Sequence, residues 1–128
     1  MKILLDTHAF LWWNMNSPQL SAKAKEIIAE GNAEIYFSAA SAWEIAIKCK
    51  KGSLILPEPP DAYIHSRIRY YNFVPMPIQM SHCLRTYDLP YIHQDPFDRL
   101  LVSQCQLENM SIISIDKNIA QYDVQVIW

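Results

Sequence analysis

The segments KILL at residues 2–5 and IISI at residues 112–115 are short, largely apolar, and each is followed directly by an aspartate. Runs that are apolar on both faces are typical of strands in a parallel sheet covered by helices on both sides. Three further stretches have the same character and predict a total of five strands. These are Ile35–Phe37, Phe73–Val74 and Val126–Trp128.

Helical patterns fill the segments between these strands. Polar residues or proline at the N-terminal ends of these segments, and glycine after the C-terminal ends of two of them, are the start and stop signals typical of helices. Alternating strands and helices predict one three-layer α/β domain over residues 1–128, with a mainly parallel sheet. Five helices are predicted. The first is capped by Ser21 and ends at Gly31, the second starts at Ser41 and ends at Gly52, and the third is capped by Asp61 and continues to Tyr71. The fourth runs from Met80 to Tyr87, and the fifth is capped by Asp95 with Pro96 as its first helical residue.

The composition excludes several classes of protein. The chain has 128 residues, 51% of them hydrophobic, which argues against a disordered protein. Only two glycines occur, so the glycine-rich phosphate and dinucleotide loops are absent. Three scattered cysteines without a CxxC pair predict reduced thiols and a cytoplasmic location. We also expect neither a signal peptide nor a membrane-spanning segment, because no apolar run reaches about 18 residues.

Four acidic residues occupy positions where a parallel sheet gathers its functional groups. Asp6 and Asp116 follow two strands, and ligand sites in α/β sheets lie beyond the carboxyl ends of strands. Glu44 and Asp98 lie early in the helices that follow or precede neighbouring strands. Carboxylates brought close together repel one another, and a hard cation such as Mg²⁺ or Mn²⁺ relieves that repulsion. The pattern therefore indicates metal-dependent phosphodiester hydrolysis.

Each acid also has a simpler structural interpretation that the local sequence leaves open. Asp6 can cap a helix that starts at Thr7, and Glu44 can pair with Lys48 four residues later. Asp98 can interact with the helix dipole while Asp95 serves as the N-cap. Asp116 can be a turn residue. Only the joint pattern of two strand ends and two helix starts favours a metal site.

Histidine ligation of a metal is not predicted, because none of the four histidines shows HxxxH or HExxH spacing. His93 and Arg99 flank the acidic DPFD segment and are candidates to contact a substrate phosphate, although the local sequence favours solvated loop positions for both. Lys48, near Glu44, is a third candidate for a phosphate contact.

Three motifs resemble one protein family. They are LLDTHAFLWW at residues 4–13, SAASAWEIAIKCKKGSLIL at residues 38–56 and LPYIHQDPFDRLLVSQCQLENMSIISIDKNIAQY at residues 89–122. In this order they resemble PIN-domain proteins, and among these the VapC-type toxin ribonucleases of toxin–antitoxin pairs. The resemblance implies a three-layer α/β/α fold with a five-stranded parallel sheet.

The resemblance also implies an activity and the residues that perform it. It implies cleavage of single-stranded RNA with Mg²⁺ or Mn²⁺ bound by an acidic quartet, which the motifs place at Asp6, Glu44, Asp98 and Asp116. Asp95 lies in the same DPFD stretch and is the alternative to Asp98. The family further implies a small antitoxin partner and a homodimer. Thr7 and Ser114, beside the strand-end acids, are expected to support the site.

Our leading hypothesis is thus a Mg²⁺-dependent endoribonuclease that acts as a toxin. Two alternatives stay within the same fold: a PIN-like protein that binds RNA or a partner without cleavage, and a housekeeping RNA-processing nuclease. A phosphate-accepting receiver domain also gathers acids at strand ends, but the Ile35–Phe37 strand ends in Ser38, and no strand offers a suitable phosphate acceptor.

The net charge of −2, taken alone, argues against an RNA substrate. The chain has 13 acidic and 11 basic residues, so without the four proposed site acids the balance elsewhere is +2. The acidity is therefore expected to be concentrated in one pocket.

Overall fold

Five parallel strands form a single sheet in the computed structural model, which describes residues 1–128. The order across the sheet is third, second, first, fourth and fifth strand, so the N-terminal strand is central. The predicted three-layer α/β/α architecture with a parallel five-stranded sheet is confirmed. The strands are β1 (Lys2–Leu5), β2 (Glu34–Ser38), β3 (Val74–Met76), β4 (Ser111–Ile113) and β5 (Val126–Ile127).

Six α-helices and two 3-10 turns connect the strands. The turns cover Thr86–Asp88 and Ile119–Gln121. No helix combines the length and the apolar character needed to cross a bilayer. The helices are α1 (Thr7–Asn14), α2 (Ala22–Glu30), α3 (Ala39–Lys51), α4 (Pro60–Tyr71), α5 (Met80–Arg85) and α6 (Pro96–Glu108).

Two apolar clusters lie on opposite faces of the sheet. Because side chains alternate along a strand, Ile3 and Leu5 of β1 enter one cluster and Leu4 enters the other. The first cluster is closed mainly by α1, α2 and α4, and the second mainly by α6. Both faces of the central strand are therefore buried, as its continuous apolar sequence predicts.

Helix α3 begins at Ala39, two residues before the predicted start at Ser41. Ser38 is the N-cap, and its hydroxyl accepts a hydrogen bond from the N–H of Ala40 at 3.0 Å. Ser41, the predicted start, lies inside the helix, where its Oγ is 2.9 Å from Oγ1 of Thr7. The helix extends over Ala39 and Ala40 because alanine has the highest helix propensity. The correction matters because it places Ser41 and Glu44 one turn apart on the same face.

Smaller corrections apply to three other boundaries. Helix α4 starts at Pro60, whose fixed φ suits the first helical position, so Pro59 rather than Asp61 is the N-cap. The helix predicted to run to Tyr87 ends at Arg85 and continues as a 3-10 turn. The third strand pairs from Val74 onward. In contrast, the predicted caps at Ser21 and Asp95 and the predicted stops at Gly31 and Gly52 are confirmed.

Candidate active site

The four acids of the predicted quartet meet in one cavity at the carboxyl edge of the sheet. The cavity has a volume of about 330 Å³. Parallel pairing of β1 with β4 brings the two strand-end aspartates together, and α3 and α6 contribute the other two acids. The cavity is lined by Asp6, Thr7, His8, Trp12, Glu44, Lys48, His93, Asp95, Asp98, Ile115 and Asp116.

Asp6 serves both as a helix cap and as a wall of this cavity. Its Oδ1 accepts a hydrogen bond from the N–H of Ala9 at 2.7 Å, which fixes the carboxylate at the start of α1. The residue is only 5% exposed. Burial raises the pKa of Asp6 above its usual value, while hydrogen bonds from Ser114 and Ala9 act in the opposite direction. The cap interpretation is therefore compatible with a site role.

Glu44 is buried and held by two opposite contacts. Oγ1 of Thr7 donates to its Oε1 at 2.7 Å, and Nζ of Lys48 donates to its Oε2 at 2.7 Å. The predicted pairing with Lys48 is present, but the pair is not a surface contact, because the Glu44 side chain is 7% exposed. Thr7 thus orients one of the four acids, as expected for a supporting residue.

The two aspartates of the DPFD segment have different environments. Oδ1 of Asp95 accepts from the N–H of Phe97 at 2.9 Å and caps α6. Asp98, one turn into the helix, has a 17% exposed side chain facing the other acids. Burial, followed by the charges of Asp95 and Asp6, raises the pKa of Asp98 to about 7. This geometry favours Asp98 over Asp95 as the third site acid.

Asp116 lies on the loop after β4 and is ordered by local hydrogen bonds. Its Oδ1 accepts from the N–H of Asn118 at 2.7 Å, so the carboxylate also organises a turn. Its own N–H donates to Oγ of the buried Ser114 at 3.0 Å. Ser114 therefore contacts the backbone of one strand-end acid and the side chain of the other, Asp6.

His93 lies at the centre of the cluster. Its Nε2 is 3.0 Å from Oδ2 of Asp98 and 3.0 Å from Oδ2 of Asp116. One ligand-type atom of each of these three residues lies within 4.8 Å of the others. Sequence spacing did not reveal this position, because His93 reaches the acids from a loop rather than from a helix face. Its only signal was its place just before the DPFD helix start.

Arg99 is not brought to the cavity, although it adjoins Asp98 in sequence. Its guanidinium donates to the carbonyls of Thr86 and Pro90 at 2.8 and 2.9 Å and to the hydroxyl of Tyr122 at 3.1 Å. That hydroxyl in turn accepts from the backbone N–H of His93 at 2.8 Å. Arg99 thus fixes the loop that carries His93.

The donor set of the cavity suits a hard divalent cation. The five carboxylates lining the cavity, those of Asp6, Glu44, Asp98, Asp116 and the capping Asp95, face few compensating bases. Burial, with a smaller contribution from neighbouring acids, raises the pKa values of Asp6 and Asp98, so holding both as charged carboxylates is unfavourable without a cation. Mg²⁺ and Mn²⁺ prefer carboxylate oxygens and supply the missing positive charge.

The fold and the site define a class of protein: a parallel α/β domain with an acidic cluster where the central strands end. The chain belongs to the PIN-domain family, whose family model matches residues 3–125. The resemblance seen in the three sequence motifs is therefore confirmed.

Known relatives and structures agree with this assignment. Ribonuclease VapC16 of Mycobacterium tuberculosis is 38% identical over 69 residues, a match covering 51% of this chain and 49% of that protein. The match thus spans about half the length of the curated relative.

Two solved structures illustrate the fold similarity. VapBC2 from Rickettsia felis, bound to a promoter DNA fragment, matches with a TM-score of 0.70 and 14% identity, over 100% of this chain and 99% of that chain. VapBC-1 from nontypeable Haemophilus influenzae matches with a TM-score of 0.64 and 18% identity, over 99% and 97% of the two chains.

Proposed function

We propose that this protein is a divalent-metal-dependent endoribonuclease that cleaves single-stranded RNA and acts as a toxin restrained by an antitoxin. The observation that carries the proposal is the convergence of Asp6, Glu44, Asp98 and Asp116 in one cavity at the ends of parallel strands. The similarity to a VapC ribonuclease and the PIN family support the same activity.

Each acidic residue of the site has its own proposed role. Asp6, Asp98 and Asp116 hold Mg²⁺ or Mn²⁺, because their carboxylates face one another across the cavity. Glu44 completes the acidic set, oriented by Thr7, while Asp95 fixes the start of α6 and thereby the position of Asp98. When bound, the cation lowers the pKa of a water and offsets the charge that develops on the scissile phosphate.

Lys48 is the base placed to contact the RNA backbone. Its ammonium group is paired with Glu44 at 2.7 Å, yet its side chain is 40% exposed at the cavity. Lysine binds phosphate as a flexible point charge, so Lys48 can reach a substrate phosphate from this position. Arg99, whose donors contact protein carbonyls, is not part of this proposal.

The partners follow from the same family relationship. We propose a small cognate antitoxin, since solved structures with this fold include VapBC toxin–antitoxin complexes. A homodimer is the proposed form of the protein itself. The three cysteines are unpaired thiols, which supports the proposed cytoplasmic location.

A cleavage assay tests the proposal. The purified chain should cleave single-stranded RNA with Mg²⁺ or Mn²⁺, and both EDTA and Asp6→Asn should abolish cleavage. Asp61→Asn is the matched control, because Asp61, like Asp6, lies at the start of a helix but is exposed and does not line the cavity. Binding of RNA without cleavage would contradict the proposal and favour a non-catalytic PIN protein.

A growth experiment separates a toxin from a housekeeping nuclease. Expression of the chain should arrest growth, and coexpression of a protein encoded by the adjacent reading frame should relieve the arrest. Cleavage in vitro without growth arrest would favour a role in RNA processing.

A further inference from the structure

His93 is bonded at both ring nitrogens, and these bonds fix where its proton lies. Nδ1 accepts a hydrogen bond from the backbone N–H of Asp95 at 3.2 Å. A neutral imidazole carries one proton, so an accepting Nδ1 assigns that proton to Nε2. Nε2 is therefore a donor, and it hydrogen bonds to Oδ2 of Asp116 at 3.0 Å, with Oδ2 of Asp98 equally near.

A nitrogen that carries a proton has no free lone pair for a metal ion. For Nε2 to ligate a cation, the proton would have to move to Nδ1, where it would point at the N–H of Asp95. That N–H belongs to the N-cap of α6, whose carbonyl accepts from the N–H of Arg99 at 3.1 Å. The helix start thus holds the donor in place and prevents the tautomer that ligation needs.

The imidazole also occupies the gap that a cation would use. Mg²⁺ bound to the carboxylates of Asp98 and Asp116 needs their oxygens at about 2.1 Å. The N–H of His93 points into the space between the same two oxygens. A cation and an N–H hydrogen cannot both occupy that gap.

We propose that the Nε2–H of His93 is the resident hydrogen-bond donor between Asp98 and Asp116, which a metal ion must displace, and that His93 is not a ligand of that metal. This inference rests on the proposed function. In the metal-free protein the imidazole keeps Asp98 and Asp116 together despite their repulsion. It is a positioning residue, because it acts through the two carboxylates.

Metal affinity distinguishes a displaced hydrogen-bond donor from a ligand. In calorimetric titrations of the full chain with Mn²⁺, His93→Ala should bind about tenfold more tightly than the wild type, since the metal no longer displaces a hydrogen bond to a charged group. Loss of a true ligand would instead weaken binding by about tenfold or more. His65→Ala is the matched control, because His65 is exposed, does not line the cavity and should leave the affinity unchanged.

A measurement on the wild type avoids any effect of the substitution on folding. The ¹⁵N shifts of the His93 ring, recorded without metal and with saturating Mg²⁺, should show a protonated Nε2 in both states. Unchanged or weaker Mn²⁺ affinity in His93→Ala, or loss of the Nε2 proton with Mg²⁺, would overturn the inference. Failure of the wild type to bind either ion would contradict the proposed function itself, whereas the two outcomes above overturn only the role of His93, so the two failures are distinguishable.

Discussion

Two histidines of this chain have the same pattern of hydrogen bonds but lie in different parts of the fold. Nδ1 of His82 accepts from the backbone N–H of Gln79 at 3.0 Å, and its Nε2 lies 3.0 Å from Oε2 of Glu108. His93 shows the same arrangement with Asp95 on one side and two aspartates on the other. In both histidines, a backbone N–H donates to Nδ1, and Nε2 lies within hydrogen-bond distance of a carboxylate oxygen.

The difference lies in the number of acids and the space around them. His82 is 1% exposed, meets one carboxylate, and joins α5 to α6. His93 meets two carboxylates, which converge with further acids around a cavity of about 330 Å³. A single satisfied histidine–carboxylate pair stabilises the fold, whereas an excess of carboxylates around one histidine marks a site that can take a cation.

The largest effect is expected from removing an acid at the His93 site. Asp98→Asn should lower metal-dependent RNA cleavage on the order of 100-fold or more, because one charged ligand is lost. Glu108→Gln, the equivalent change at the His82 site, should leave cleavage within about twofold, since Glu108 has no part in the cavity. Initial rates with a fluorescent single-stranded RNA measure both. Equal losses in the two variants would remove the distinction between the sites.

The next effect concerns stability. His82→Ala removes a buried hydrogen-bonded side chain and should lower Tm by about 5–10 °C, with or without Mg²⁺. His93→Ala should lower Tm only in the metal-free protein, because bound Mg²⁺ then holds Asp98 and Asp116 together in place of the lost hydrogen bond. Thermal unfolding at matched ionic strength measures the Tm of each variant with and without Mg²⁺. A His93→Ala deficit that persists with saturating Mg²⁺ would contradict the comparison.

A smaller effect is expected from pH. The pKa of Asp98 is raised to about 7 by burial and by neighbouring acids. Its protonated form therefore stabilises the metal-free fold, and that contribution, complete below the ordinary aspartate pKa, is lost as pH rises through about 7. The Tm increase produced by Mg²⁺ should accordingly grow between about pH 5 and pH 8.

Asp98→Asn provides the control for this pH dependence. The variant has no carboxyl group to titrate at this position, so its Tm without metal should vary less between about pH 5 and pH 8 than that of the wild type. A wild-type increase that is the same at both ends of the range would show that Asp98 does not titrate there.

The smallest effect distinguishes two thiols on the helices joined by His82. Burial raises the pKa of Cys105 to about 12, whereas Cys83 is exposed. Cys83 should react with iodoacetamide in the native protein and Cys105 only after unfolding, because the thiolate is the reactive form. Peptide mass spectrometry after timed labelling measures both. Rapid labelling of Cys105 would show that the α5–α6 contact opens readily.

The sequence alone predicted the sheet and the gathering of its acids well. Apolar runs ended by Asp6 and Asp116 identify two buried strands, and parallel pairing then requires both aspartates to lie at one edge. The DPFD segment likewise contains a complete helix start, with a capping aspartate and a proline at the first position. These are local signals, and tertiary structure did not override them.

What the sequence did not predict depends on contacts between distant segments. His93 reaches Asp116 across 23 positions from a loop, and no spacing rule describes such an approach. The sequence makes Arg99 only a candidate for a phosphate contact, and it does not show that carbonyls of the loop at residues 86–90 accept hydrogen bonds from its guanidinium. The start of α3 was misplaced because Ser38 and Ser41 are both good caps, and only the contact of Ser41 with Thr7 distinguishes them.

A crystal structure of the chain soaked with Mn²⁺ tests the central claim most directly. The account predicts an anomalous peak bound by carboxylate oxygens of Asp6, Asp98 and Asp116, with the His93 ring displaced from the gap between the last two. A cavity without the peak, in a crystal soaked well above the Kd measured in solution, would contradict the metal site. A peak ligated by Nε2 of His93 would retain the site and contradict the role assigned to this histidine.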